Sequence, residues 1–304
     1  MTTREIITIN DVGPRDGLQN QTKHLSVDER LLLINALVDA GLPAIEVGAF
    51  VSPKAVPAMA GTDEVFQQLD HSDGVVYSAL IPNAKGFKHG ADLNVPLMSL
   101  VLAASSTMNE KNIRMTTAYA LEMAQSVLEL SKERASAVQA YVATAWECPF
   151  EGRVSGDEVL RLSALLLEGG ASKIVIADTI GAADPDAVYK LMRRLANEVG
   201  AYNLSCHFHD TRGMGVANVY AAIEAGIRQF DASIGGLGGC PFAPGATGNV
   251  ATEDVVLLVE QMGYQTGIDM PALLKASDLV SVLTGNSPGG RAKPWLKKNH
   301  SIAL

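Results

Sequence analysis

Cysteine is scarce and odd in number: Cys148, Cys206 and Cys240 are the three in 304 residues. That is too few to frame a disulfide-stapled fold and fits a reducing compartment, so a cytoplasmic protein is expected. Positive charge is in deficit. The chain has 24 Lys and Arg against 33 Asp and Glu, a formal net charge of −9, and no basic tail. That balance argues against nucleic acid as a partner, which needs clustered cations, but leaves room for a local basic pocket around an anionic ligand. No apolar run reaches the ~20 residues of a membrane span, and "MTTREIITIN" lacks the charged and then apolar segments of a secretion signal, so no membrane association is expected. Also missing is a linker that would divide the chain. One domain over residues 1–304 is therefore expected, and 47% hydrophobic content supplies its core.

What is present is a rhythm. Eight β-rich runs recur at residues 5–12, 44–50, 75–81, 97–105, 137–146, 173–178, 204–209 and 230–236. Helical patterns lie between them. "SVDERLLLINALVDAG" has Ser26 and Glu29 placed for a capping box, an apolar stripe of Val27, Leu31, Ile34 and Val38, and Gly41 to close it. Ser155 and Glu158 repeat the capping device, and Asp184 with Pro185 marks another helix start. The third unit has room only for a stunted helix. Strands alternating with helices predict a parallel sheet, and eight of them favour closure into a (β/α)8 TIM barrel over an open doubly wound sheet. Residues from about 267 to 304 read as a C-terminal extension, an extra helix followed by a tail.

In such a barrel the chemistry belongs at the C-terminal ends of the strands. Polar residues fall there repeatedly: Arg15 and Asp16 after the first strand, Glu46 on the second, Tyr141 on the fifth, Asp178 on the sixth. The seventh ends "CHFHD". His207 and His209 are two apart, so both imidazoles project to one face of a strand while Cys206 and Phe208 take the other. With oxygens from Asp16 and Asn249 they compose a set of two imidazoles and two oxygens without thiolate, which suits Mg²⁺, Mn²⁺ or a similar divalent ion with positions open to substrate. The stretch "GGLGGCPFAPGATGNVATED", residues 235–254, crowds glycines around Cys240, as a surface shaped to a ligand would. Each feature alone has a plain structural reading: histidines bonded to carbonyls, a surface ion pair, carboxylates tying strands to loops. Their common position at one barrel face favours a site.

Five stretches, "DVGPRDGLQNQ", "IEVGAFVSPKAVPAMA", "ADTIGAADP", "HFHDTRGMGVAN" and "GGLGGCPFAPGATGNVATED", closely resemble the 3-hydroxy-3-methylglutaryl-CoA lyase family, within the metal-dependent lyase and Claisen-condensing barrels. The likeness runs from about residue 5 to 300. It implies a metal-assisted cleavage of 3-hydroxy-3-methylglutaryl-CoA to acetoacetate and acetyl-CoA, with Mg²⁺ or Mn²⁺ held by Asp16, His207, His209 and Asn249. It further implies Arg15 at the polarised substrate oxygen, Cys240 in proton transfer with His207 or Asp16 as proton relay, and Glu46, Tyr141 and Asp178 in support. The partner implied is a small-molecule acyl-CoA, and the protein a homo-oligomer, dimer or tetramer.

The chain departs from the family pattern at the mouth. "HFHDTRG" carries Arg212 where the family usually has an aromatic residue, which makes Arg212 a candidate contact for substrate carboxylate or CoA phosphate. Three other readings stay open at this stage. A lyase of another 3-hydroxy-3-substituted dicarboxylic acyl-CoA is one. An Fe(II) oxygenase, whose facial triad also uses two histidines and a carboxylate, is a second, and a non-enzymatic metal-binding barrel is a third.

Overall fold

The computed structural model describes residues 4–239, 248–286 and 289–299. Among them, eight parallel strands close into a barrel in sequence order: β1 (Thr8–Asp11), β2 (Ala44–Ala49), β3 (Val76–Leu80), β4 (Leu97–Ala103), β5 (Ala137–Ala143), β6 (Ile174–Asp178), β7 (Leu204–Phe208) and β8 (Gln229–Ala232), with β8 paired back onto β1. Helices follow the strands, so the architecture is the (β/α)8 TIM barrel that the alternation predicts. No described helix is long and apolar enough to cross a membrane.

The strands present two different surfaces. Outward-facing side chains such as Ile9, Ile45, Met98, Leu100, Val138, Ile174, Ile176 and Phe230 merge with helix residues into one apolar core. The inward face is polar. Register pairs Asn10 with Asp231, Glu46 with Ser78, Ser99 with Gln139 and Asp231 with His207 across neighbouring strands, so these side chains look into the barrel. Val101, Tyr141, Val175 and Ala177 form a small apolar patch among them.

The first helix, α1 (Val27–Asp39), carries the expected capping box, with Ser26 and Glu29 bonding each other's backbone N–H. Its buried face is turned from the expected one. Arg30, Leu33, Ile34 and Leu37 are buried, while Val27, Leu31 and Val38 are only partly covered. Arg30 sets this phase: its guanidinium donates to the carbonyls of Val47 at 2.7 Å and Ala60 at 2.9 Å, tying the helix to the end of β2. In the helix Gly156–Gly169, Ser155 does cap, but through the N–H of Asp157 rather than Glu158, whose carboxylate pairs with Arg161. The expected helix starts at Asp184 and Pro185, and the third unit's helix is the short Ala84–Asp92. The extension differs in part: after the helix Met270–Thr284, the segment expected as a tail holds a further helix, Lys293–Asn299.

Two adjacent leucines test the observed phase of α1. Leu33→Ala, at a fully buried position, is expected to lower stability by about 2–5 kcal/mol, while Leu32→Ala, at a position 56% exposed, is expected to change it by less than about 0.5 kcal/mol. Urea denaturation of both variants checks this, and equal losses would contradict the packing.

Candidate active site

The mouth is assembled from five strand ends. After β1 the chain makes one tight turn, Gly13–Gly17, that brings Arg15 and Asp16 over the opening. Arg15 is 7% exposed; its Nε donates to Glu46 Oε2 at 2.5 Å and its Nη1 to Asp16 Oδ1 at 2.8 Å. Burial works against charge on this guanidinium, but the Glu46 and Asp16 carboxylates outweigh it and hold the pKa above its ordinary value. Burial likewise works to protonate Asp16, and Arg15 with the neighbouring imidazoles and the amide of Asn249 overcomes it, leaving the carboxyl at about 2 and ionised. For Glu46, burial pushes the carboxyl up while Arg15 opposes.

His207 and His209 do share a face, their ring centroids 5.2 Å apart. Asn249 is brought beside them by backbone pairing. Asp210 N–H donates to Gly248 O and Val250 N–H to Phe208 O, both at 3.0 Å, while Ser233 N–H donates to Val250 O. The segment thus runs as a wedge between the ends of β7 and β8. Glycine is required there: a Cβ on Gly248 would stand 2.0 Å from Gly236 O, and one on Gly238, at φ 141°, would stand 2.5 Å from Asn249 Nδ2. The amide of Asn249 donates to Asp16 Oδ2 at 2.8 Å and to Leu237 O at 3.0 Å.

Asp16, His207 and His209 offer ligand atoms that all lie within 4.8 Å of one another. Burial, and then His207, push His209 down to about 4, so its imidazole is neutral at physiological pH, as a metal ligand must be. Among the described residues, two buried polar atoms at the cluster, His209 Nδ1 and Asn249 Oδ1, have no hydrogen-bond partner. Unpaired buried polar atoms are costly and uncommon, and here both belong to the candidate ligand set. Nitrogen and oxygen donors without thiolate fit a divalent cation such as Mg²⁺ or Mn²⁺.

Three of the expected residues stand around the donor set rather than in it. Tyr141 lies against the cluster, its ring edge-on to His207 with centroids 6.1 Å apart and its hydroxyl donating to Asp231 Oδ2 at 2.7 Å. Asp178 belongs with the outward parity of Ile174 and Ile176, and its carboxylate accepts the N–H of Ala182 at 2.9 Å and of Ala183 at 3.0 Å, securing the loop after β6. Arg212 is on the rim, 54% exposed at its side chain, and donates to Ala182 O at 3.3 Å and Glu147 Oε1 at 3.4 Å. Cys240 lies outside the described residues.

Asp231 and Asn10 escaped the sequence reading. Asp231 accepts from Asn10 Nδ2 at 2.8 Å, from Tyr141 and from His207 Nδ1 at 3.1 Å. The signal available was an acid in the middle of a strand-like run, the same one that nominated Glu46.

A parallel barrel that gathers Asp16, two imidazoles and an unpaired amide oxygen beside a buried Arg–Glu pair defines a TIM barrel with a candidate divalent-metal centre at its mouth. The chain belongs to the HMGL-like family, whose model matches residues 6–280. It is 42% identical to hydroxymethylglutaryl-CoA lyase of Pseudomonas mevalonii over 95% of this chain and 96% of that protein. A 3-hydroxy-3-isohexenylglutaryl-CoA/hydroxymethylglutaryl-CoA lyase of Pseudomonas aeruginosa is 41% identical over 94% and 95%. Among solved structures, an HMG-CoA lyase from Acinetobacter baumannii in complex with coenzyme A and 3-methylmalate superposes with a TM-score of 0.92 at 39% identity, covering 98% of this chain and 97% of that one.

The Asp178 contacts generate a stability prediction. Asp178→Ala strips one buried and one part-buried N–H group of their acceptor and is expected to cost about 1–3 kcal/mol; an unchanged urea midpoint would mean that the loop is held by other contacts.

Proposed function

We propose that the protein is a carbon–carbon lyase that cleaves 3-hydroxy-3-methylglutaryl-CoA to acetoacetate and acetyl-CoA. The observation that carries this reading is the converged donor set of Asp16, His207, His209 and Asn249, two members of which have buried atoms without partners among the described residues, in a chain closely similar to such lyases. The small-molecule partner is the acyl-CoA thioester.

The reaction breaks the C2–C3 bond of the acyl group. The proton on the C3 hydroxyl leaves, the C2–C3 electron pair passes to the thioester as an enolate, and a proton returned to C2 completes acetyl-CoA. Asp16, His207, His209 and Asn249 would hold a divalent cation, which would supply the Lewis acidity that makes such a hydroxyl more acidic. Arg15 holds its position through Glu46 and Asp16 and stabilises negative charge developing on substrate oxygen. Asp16 or His207, both beside Arg15, relays the hydroxyl proton. Cys240, carried on the glycine-rich stretch, returns a proton to the enolate carbon. Glu46 and Tyr141 support this set, Glu46 through Arg15 and Tyr141 through Asp231, while Asp178 keeps the neighbouring loop in place. Arg212 on the rim contacts the substrate carboxylate or a CoA phosphate.

The remainder of the proposal is a single catalytic domain, a cytoplasmic location in keeping with the three cysteines, and a dimer or tetramer, which light scattering would measure.

Mass spectrometry of acyl-CoA cleavage tests the central reading. Wild-type protein is expected to lose turnover on chelation and regain it with Mg²⁺ or Mn²⁺, and His209→Ala to have no metal-dependent turnover. Full activity in both the chelated protein and the variant would overturn the metal assignment. A separate measurement concerns the rim: Arg212→Tyr is expected to change relative kcat/KM across a panel of acyl-CoA substrates more than it changes metal affinity. Unaltered preference would remove Arg212 from substrate recognition.

A further inference from the structure

We propose that Asp231 is a positioning residue that sets the His207 imidazole for cation binding, an inference that rests on the metal reading above. Asp231 enters from β8 at the register position beside His207 on β7 and is 3% exposed. Its carboxylate collects donors from three other strands: Asn10 Nδ2 from β1 at 2.8 Å on Oδ1, and Tyr141 OH from β5 at 2.7 Å with His207 Nδ1 from β7 at 3.1 Å, both on Oδ2. A carboxylate held from separate walls of the barrel has one orientation.

That orientation fixes the imidazole in turn. An imidazole that donates its Nδ1 proton to a carboxylate keeps its lone pair on Nε2 and gains basicity there, the arrangement by which buried carboxylates orient metal-binding histidines. Asp231 therefore acts through His207. Packing alone is a poor account of the residue, since Tyr141 and His207 converge on one oxygen, a demand that a charged acceptor meets best.

Asp231→Asn separates charge from shape. Among the described residues the buried Asn10 Oδ1 atom has no partner, so its amide can turn and accept from the new amide, and the variant is expected to fold. Equilibrium Mn²⁺ titration followed by electron paramagnetic resonance of the free ion, together with thermal unfolding, is applied to the wild-type chain, Asp231→Asn and His207→Ala. The expected result is Mn²⁺ affinity about 10- to 100-fold weaker in Asp231→Asn at an unchanged unfolding midpoint, with binding lost in His207→Ala. Wild-type affinity in Asp231→Asn, alongside loss in His207→Ala, overturns the positioning role and leaves the metal reading standing. Equal binding by the wild-type chain and His207→Ala overturns the metal reading and this inference with it. If Asp231→Asn does not fold, Asn10→Ala replaces it, because it frees the carboxylate to turn without removing its charge. A smaller but measurable loss of Mn²⁺ affinity is then expected, and wild-type affinity overturns the proposal.

Discussion

Surplus buried negative charge is the constraint on which the mouth of this barrel depends. Asp16, Glu46 and Asp231 converge there, and among the described residues in hydrogen-bond contact with them Arg15 is the one guanidinium. Carboxylates removed from water repel one another and lose solvation, so each must be answered by a cation or by donors. Arg15 answers Glu46 and Asp16 together. Asp231 is answered by the donors of Asn10, Tyr141 and His207, and Asn249 by its own amide hydrogens supports Asp16.

The inverted pattern of the strands follows from the same requirement. Packed barrels are usually filled with branched apolar side chains, and here the outward face of each strand supplies the apolar core while the inward face carries Asn10, Glu46, Ser99, Gln139, His207 and Asp231. The barrel wall is thus apolar toward its helices and hydrogen-bonded within. Strain appears at the rim as well: Thr144, just past β5, is a β-branched residue at φ 53°, and its N–H is met by the Thr179 hydroxyl at 2.8 Å.

The fold was legible because short β-rich runs and capped helices alternate eight times, a pattern with few other solutions. Phase was less legible. Three successive leucines, Leu31 to Leu33, fit two neighbouring helix faces equally well, and the choice was made by Arg30, whose buried guanidinium finds carbonyl partners that only tertiary structure provides. The two-residue strands Glu147–Cys148 and Gly152–Arg153 are too short to show any alternation. At the site, the H-x-H spacing and the acids at strand ends were sufficient to nominate the cluster. Asp231 was not nominated because its meaning depends on register with β7 and on Tyr141 reaching across the barrel. Asp178 shows the converse, a strand-end acid whose oxygens are occupied by backbone.

The pairing of β8 with β1 carries a consequence for how the chain matures during synthesis. Until residues near 232 have left the ribosome, β1 and the most recently formed strand are both open edges, and exposed edges invite pairing with other chains. The cluster at the mouth is equally late, since Asp16 waits for His207, His209 and finally Asn249. The nascent chain therefore spends most of its translation with neither a closed sheet nor a concentrated patch of negative charge, and acquires both in the same final step.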